Sequence, residues 1–182
     1  MPEKPKILSS TEIARSRHFC IESLDLEFSN GERRIFERLC RSAPGGAVLI
    51  VPLLDHSTVL LIREYAAGVG RYELGLPKGK RDADEDRLQA ANRELQEEVG
   101  YAARDLHLLT VLTVAPGYLE HETDIILARD LYPHRLPGDE PEELEVVPWS
   151  LDDIGGLLKS GEMTEARSLA ALYLTRDFLQ QV

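Results

Sequence analysis

The tract Gly79-Lys80-Arg81-Asp82-Ala83-Asp84-Glu85, resumed at Arg93-Glu94-Leu95-Gln96-Glu97-Glu98-Val99-Gly100-Tyr101, decides how this 182-residue chain is read. The pattern predicts a helix over about Asp84 to Val99. At about 100° per residue, Leu88, Ala91, Leu95 and Val99 form one apolar stripe. Glu94 and Glu98 then lie one turn apart, with Glu97 on the adjoining flank, and Gly100 suits a left-handed stop. Three glutamates within five residues, with Glu85 just before, repel one another. Like charges at i,i+4 each cost a helix roughly 0.2–0.5 kcal/mol. A solvated acidic face is the ordinary reading of a Glu-rich helix, but a fold gains nothing from this spacing. A hard divalent cation does, because it needs several oxygens converging on one point. Arg93 can hold one carboxylate by a two-pronged hydrogen bond.

Outward from this tract the chain reads as alternating strands and helices. Ala47 to Leu54 is a nearly continuous apolar run, expected as a buried strand, and Thr58 to Ile62 as a second. A glycine-rich connection through Gly68, Gly70, Gly75 and Gly79 leads into the acidic helix. Strands are expected at Leu106 to Val114, Asp124 to Ala128 and Glu145 to Pro148, with an amphipathic helix over Thr164 to Gln180. Between the last strands lies a Pro/Gly/acid loop, Tyr132 to Glu143. Residues 1–44 read as a hairpin: Leu24, Leu26 and Phe28 alternate with Asp25 and Glu27, Asn30-Gly31 makes the turn, and the return strand carries Ile35, Phe36 and Leu39. A lone hairpin is marginal, so it should pack on the main domain or on a second subunit. The order predicts a helix–sheet–helix layered α/β domain.

A formal net charge of −11 argues against nucleic-acid binding, which needs a basic face. Acid groups that gather divalent metal reverse the local sign and suit an anionic substrate. No apolar run approaches a membrane span, and the start Met-Pro-Glu-Lys-Pro-Lys lacks a secretory signature, so a cytoplasmic location is expected. Cys20 and Cys40 lack CxxC spacing and are expected to be reduced, ordinary residues.

The acidic tract resembles the signature of the Nudix hydrolases, Gly-x5-Glu-x7-Arg-Glu-U-x-Glu-Glu-x-Gly-U, where U is bulky and aliphatic. Gly79, Glu85, Arg93, Glu94, Glu97, Glu98 and Gly100 fill all seven fixed positions. Chance agreement at ordinary residue usage is on the order of 10⁻⁸ per start position. Two departures, Tyr101 at the last U and Asp84 before Glu85, touch packing or the turn. The hairpin, Leu61-Ile62-Arg63-Glu64-Tyr65 and Ala115-Pro116-Gly117-Tyr118 resemble the ADP-ribose pyrophosphatase branch. Within it, Ala14-Arg15-Ser16-Arg17, Leu24 to Gly31, Asn92 to Gly100 and Gly138-Asp139-Glu140-Pro141 resemble the bacterial ADP-compounds hydrolases (NudE type).

The resemblance implies a Nudix α/β/α sandwich with an N-terminal β-hairpin extension: residues 1–44 as an extension serving dimerisation, residues 45–182 as the hydrolase domain. It implies Mg²⁺-dependent hydrolysis of the diphosphate linkage in ADP-ribose, diadenosine di- or triphosphate or NADH, with AMP released. Mn²⁺ or another divalent ion is the alternative cofactor. It also implies a homodimer in which N-terminal strands of one subunit help build the other's site. The metal ligands implied are Glu94, Glu98, Glu97 and the carbonyl of Lys78, with Glu85 in support and Arg93 orienting a carboxylate. Phe36 occupies the place of an adenine-stacking aromatic, Arg41 that of a following basic residue, and Arg63 would offset charge on the leaving group. The proton acceptor is expected at Glu97 or on the loop Gly138 to Glu143, with Glu142 favoured. Ala66 stands where the branch often has arginine, and the acid expected at Gly75 is displaced to Glu73. Both departures fit a broader choice of ADP-linked substrates. Rival readings are a Nudix pyrophosphatase for other nucleoside di- or triphosphates and a non-catalytic nucleotide-binding sensor.

Overall fold

In a computed structural model, which describes residues 3–40 and 45–181, the chain forms two compact units. One is drawn from residues 1–44 with 113–122, the other from 45–112 with 123–182. The first contains β1 (Lys6–Arg15), β2 (Cys20–Glu27) and β3 (Arg33–Cys40), an antiparallel sheet in that order. Strands β2 and β3 are the expected hairpin, with Leu24 opposite Phe36. At the turn Gly31 donates its amide to the carbonyl of Phe28 at 2.9 Å, and Asn30 accepts from the amide of Glu32 at 3.1 Å. Strand β1 is an addition that the sequence reading lacked. It is exposed along its whole length, so no alternation of apolar and polar residues announces it. The segment 113–122 joins this unit through Leu39, which bonds Tyr118 and Glu120 along the backbone.

The expectation of two independent reduced cysteines is overturned. Register places Cys20 opposite Cys40, with Cα atoms 5.5 Å apart, and the two form a disulfide. Sequence spacing did not reveal this, because it is strand pairing that brings residues 20 apart face to face. Arg41 lies outside the described residues.

The second unit holds two sheets. Strands β4 (Ala47–Pro52), β5 (Thr58–Ala66), β6 (Arg71–Gly75) and β7 (Lys78–Lys80) precede the helix α1 (Arg87–Glu94). Strands β8 (Tyr101–Thr113), β9 (Glu122–Pro133) and β10 (Glu145–Ser150) follow, then α2 (Ile154–Ser160) and α3 (Ala166–Leu179). One sheet runs β7-β4-β9-β8, with β4 parallel to β9, and the other runs β10-β5-β6. The central strands bury both faces. Leu49, Val51, Val59, Leu61, Ile125 and Leu127 pack in one core with Ile154, Leu157, Ala171 and Leu172 of α2 and α3. Their neighbours Val48, Ile50, Leu60, Ile62 and Ile126 pack in another with Ala90 and Ala91 of α1 and with Leu95 and Val99 beyond it. Two-sided burial explains why these strands read as apolar runs rather than alternations. Helices thus cover opposite faces of the strands, an α/β/α sandwich. Among the described residues no helix is long and apolar enough to cross a membrane.

The acidic helix starts later than expected. Asp86 caps it, accepting from the amide of Leu88 at 2.8 Å, and Gln89 answers as the reciprocal member of a capping box. Regular α-helix runs only to Glu94. Leu95–Val99 form a wider π-type turn, and Gly100 ends it at φ 81°. A left-handed residue there is inexpensive only for glycine.

Leu61→Ala should lower unfolding free energy by about 3 kcal/mol, since the leucine is fully buried between layers. Leu158→Ala, at an exposed position of α2, should change it by less than about 0.5 kcal/mol. Urea midpoints for the two variants would expose an error in this layering if they moved equally.

Candidate active site

Arg93, on the last turn of α1, gathers the acidic residues around itself. Its Nε and Nη2 donate to the two oxygens of Glu85 at 3.0 and 3.1 Å. Its Nη1 reaches Glu94 and Glu97, each at 2.9 Å, and its Nη2 also reaches the carbonyl of Lys80 at 3.0 Å. The guanidinium therefore binds three carboxylates rather than the single one expected from sequence, and this holds its pKa above the ordinary arginine value, chiefly through Glu85. Glu98 turns elsewhere: it accepts from the backbone amide of Lys78 at 3.0 Å. Gly79 follows Lys78 in β7, and a Cβ there would overlap the carboxylate of Glu94. Helix and strand approach closely enough at this point that only glycine fits.

The loop after β9 comes back over the end of this helix. The amides of His134 and Leu136 bond the carbonyls of Gly100 and Gln96 at 3.0 and 3.2 Å. A cleft of about 270 Å³ results, lined by Glu94, Glu97 and Glu98 on one side and by residues 138–144 on the other. Of the three loop glutamates, Glu142 accepts from the hydroxyl of Tyr72 at 2.7 Å. Burial first, then Glu64 and Asp139, push the pKa of Glu140 up. Glu143 meets Arg135 only at 4.0 Å, with both side chains well exposed.

The structure brings Lys78, Glu85, Arg93, Glu94, Glu97, Glu98 and Glu142 to this region. Arg63 lies on β5 and is held by Glu145 at 2.7 Å and Glu162 at 2.8 Å. Phe36 belongs to the N-terminal unit, where its half-exposed ring lies 6.2 Å from that of Phe28. Two neighbours escaped the sequence reading. Glu64 pairs with the Lys78 ammonium at 2.6 Å, and Tyr72 bonds Glu142. Their partners come from other elements, so no local spacing could have shown them.

Residues 43–172 match the NUDIX domain, and residues 5–38 match the NudE-type Nudix hydrolase N-terminal domain. The chain is a Nudix hydrolase. It is 49% identical over 178 residues to the ADP compounds hydrolase NudE of Escherichia coli (strain K12), covering 98% of this chain and 95% of that one. It is 28% identical over 174 residues to an ADP-ribose pyrophosphatase of Bacillus subtilis (strain 168), covering 92% of each. A crystal structure of an ADP compounds hydrolase superposes with a TM-score of 0.91 at 49% identity, over 100% of this chain and 97% of that one.

Nudix hydrolases generally use a divalent metal, and the donors here fit one. Glu94 and Glu98 are only 8% and 7% exposed, beside Glu97, so the hard oxygen donors sit largely out of water. Among the described residues no three acidic or histidine side chains converge as a closed ligand set, because Glu94 faces Arg93 and Glu98 faces the Lys78 amide. An incomplete protein set suits a cation that takes one or two carboxylates and fills its remaining positions with water and phosphate oxygens.

Burial is what makes these carboxylates energetically exposed to a missing countercharge. It raises the pKa of Glu94, against the pull of Arg93. It pushes Glu98 from 4.5 to about 8, with Lys78 opposing and Glu94 and Glu64 adding to the rise. Between those values the folded chain keeps a proton that the unfolded chain has released, so stability falls as pH rises through that window. Glu98→Gln is neutral throughout. In chelator, the variant should melt above the parent at pH 8 and level with it at pH 5; a constant difference would contradict a buried, proton-holding Glu98. Gly79→Ala should displace the Glu94 carboxylate and weaken divalent-cation affinity by at least about tenfold, measured by titration calorimetry.

Proposed function

We propose that this Nudix hydrolase cleaves the diphosphate linkage of ADP compounds (ADP-ribose, diadenosine di- and triphosphate, NADH), releasing AMP, with Mg²⁺ as the preferred ion and Mn²⁺ as the alternative. One observation carries the reading: Glu94 and Glu98 are buried together at the foot of a cleft whose opposite wall is a glutamate-bearing loop. The names of the Escherichia coli and Bacillus subtilis relatives, an ADP compounds hydrolase and an ADP-ribose pyrophosphatase, support the substrate class.

When bound, the divalent ion supplies charge neutralisation at the diphosphate and activation of water. The chain's own residues do the rest. Glu94, Glu98 and the Lys78 carbonyl are its proposed ligands, with Glu97 shared. Arg93 keeps Glu94 and Glu97 from swinging apart, and Glu85 fixes Arg93 in turn. Glu142 takes the proton of the water that attacks one phosphorus while the opposite P–O bond breaks; Glu97 is the alternative acceptor. Arg63 would exchange one of its two carboxylate partners for a phosphate oxygen on the leaving side. Phe36 is proposed to stack on adenine and Arg41 to meet the adjacent phosphate.

Residues 1–44 are proposed as a dimerisation extension to the hydrolase domain of residues 45–182. The exposed apolar side chains Ile7, Leu8, Ile13, Phe19 and Ile35 support a surface covered by a second copy. Under that arrangement Phe36 and Arg41 of one copy serve the site of the other.

Glu98→Gln should lower ADP-ribose turnover at saturating Mg²⁺ by on the order of 10²–10³ with the fold intact. Near-normal hydrolysis would remove the metal assignment. For the extension, sedimentation velocity should give a dimer that Ile7→Asp/Ile35→Asp converts to monomer with loss of activity; a monomeric parent at micromolar concentration would defeat the arrangement.

A further inference from the structure

We propose that Tyr72 is a positioning residue for the loop carboxylate Glu142, its phenol holding one carboxylate oxygen so that the acid stays at the wall of the cleft. The inference rests on the reading of Glu142 as the proton acceptor. Tyr72 lies on β6, far in sequence from the acidic tract, and its hydroxyl donates to Glu142 at 2.7 Å. No packing need explains that hydroxyl. The ring is half exposed, and phenylalanine would fill the same space.

Sheet register explains why the bond forms. Tyr72 is directly opposite Tyr65 across the β5–β6 pair, and the two rings meet edge to face with centroids 5.5 Å apart. This brace fixes the direction of the phenol. On the other side of β5, strand β10 begins with Glu145 opposite Arg63. Carried on at the same register, the chain before β10 brings Glu143 level with Tyr65 and Glu142 level with Ala66. The loop therefore reaches the Tyr72 side of β5 as it enters the sheet.

The loop also needs such a tether. Its first residues are pinned to the helix end through His134 and Leu136, and its last, Leu144, is buried. Between them, the 4.0 Å approach of Arg135 to Glu143 is worth little for exposed charges. The bond from Tyr72 holds that middle stretch at Glu142. Glu142 also keeps the phenol protonated, with its pKa above the ordinary tyrosine value, so Tyr72 remains a donor at neutral pH. A carboxylate has two oxygens, and one engaged by a phenol leaves the other able to accept a proton from water.

The test is a double-mutant cycle on the full chain, with ADP-ribose and Mg²⁺ as probes. Tyr72→Phe should lower kcat by about threefold to tenfold, with KM and melting temperature unchanged. In a Glu142→Gln background, already slow, the same substitution should have less than about a twofold effect, because the acid it serves is gone. A loss of equal factor in both backgrounds would overturn the inference, as would a rise in KM with kcat intact, which would make Tyr72 a substrate contact. Normal kinetics for Tyr72→Phe beside a collapsed Glu142→Gln would refute the tether and leave the acceptor reading standing. Normal kinetics for Glu142→Gln would refute the acceptor reading itself, and the tether's catalytic purpose with it.

Discussion

Everything at the candidate active site depends on keeping several carboxylates together where water cannot screen them. One arginine makes this possible. Arg93 touches Glu85, Glu94 and Glu97 at once and also reaches the Lys80 carbonyl, so helix and preceding turn share a single charge. Glu98 has no such partner. It is held by one backbone amide, and its raised pKa records the difference. A cluster arranged in this way is poised between protonation and cation binding. It is a poor device for stability and a good one for chemistry, because removing a charged partner from a buried acid is costly in a way that exposed ion pairs are not.

The site's other wall follows from the sheets. Strands β4, β5 and β9 serve two cores, and their ends fix where the acidic helix and the loop before β10 meet. Strand β5 is the hinge of that arrangement: it carries Arg63, Glu64 and Tyr65, and it pairs with both β10 and β6. The ion pair of Glu64 with Lys78 and the bond of Tyr72 to Glu142 lie around the same strand. Substitutions on β5 that leave the core intact can therefore still disturb the geometry of the cleft.

Much of this was legible in the sequence, and the gaps have physical causes. The buried strand at Ala47, the acidic helix and the C-terminal helix were readable because each presents a strong apolar period or an unusual charge pattern. The box itself was readable because fixed spacing is rare by chance. Strand β1 was not, because it buries nothing along its length. Strands β6 and β7 sit in a glycine-rich stretch that reads as a connection, and α2 carries Gly155-Gly156 near its start, which weakens any helical signal. The Cys20–Cys40 bond, the Tyr72–Glu142 bond and the two carboxylates on Arg63 were hidden for a common reason. Each joins residues whose proximity exists only after strands have paired.

The wide turn at Leu95–Val99 has a consequence for how this region can change. Its hydrogen bonds span one residue more than those of a regular helix, so the tract contains, in effect, an inserted position. Deleting any one of its five residues would let the backbone relax into an ordinary helix. Everything after the cut would then turn by about 100°, carrying Gly100 and at least one glutamate off the face they now share. The tract is thus fixed in length as much as in composition: side chains can be exchanged there singly, whereas an indel rewrites the whole surface.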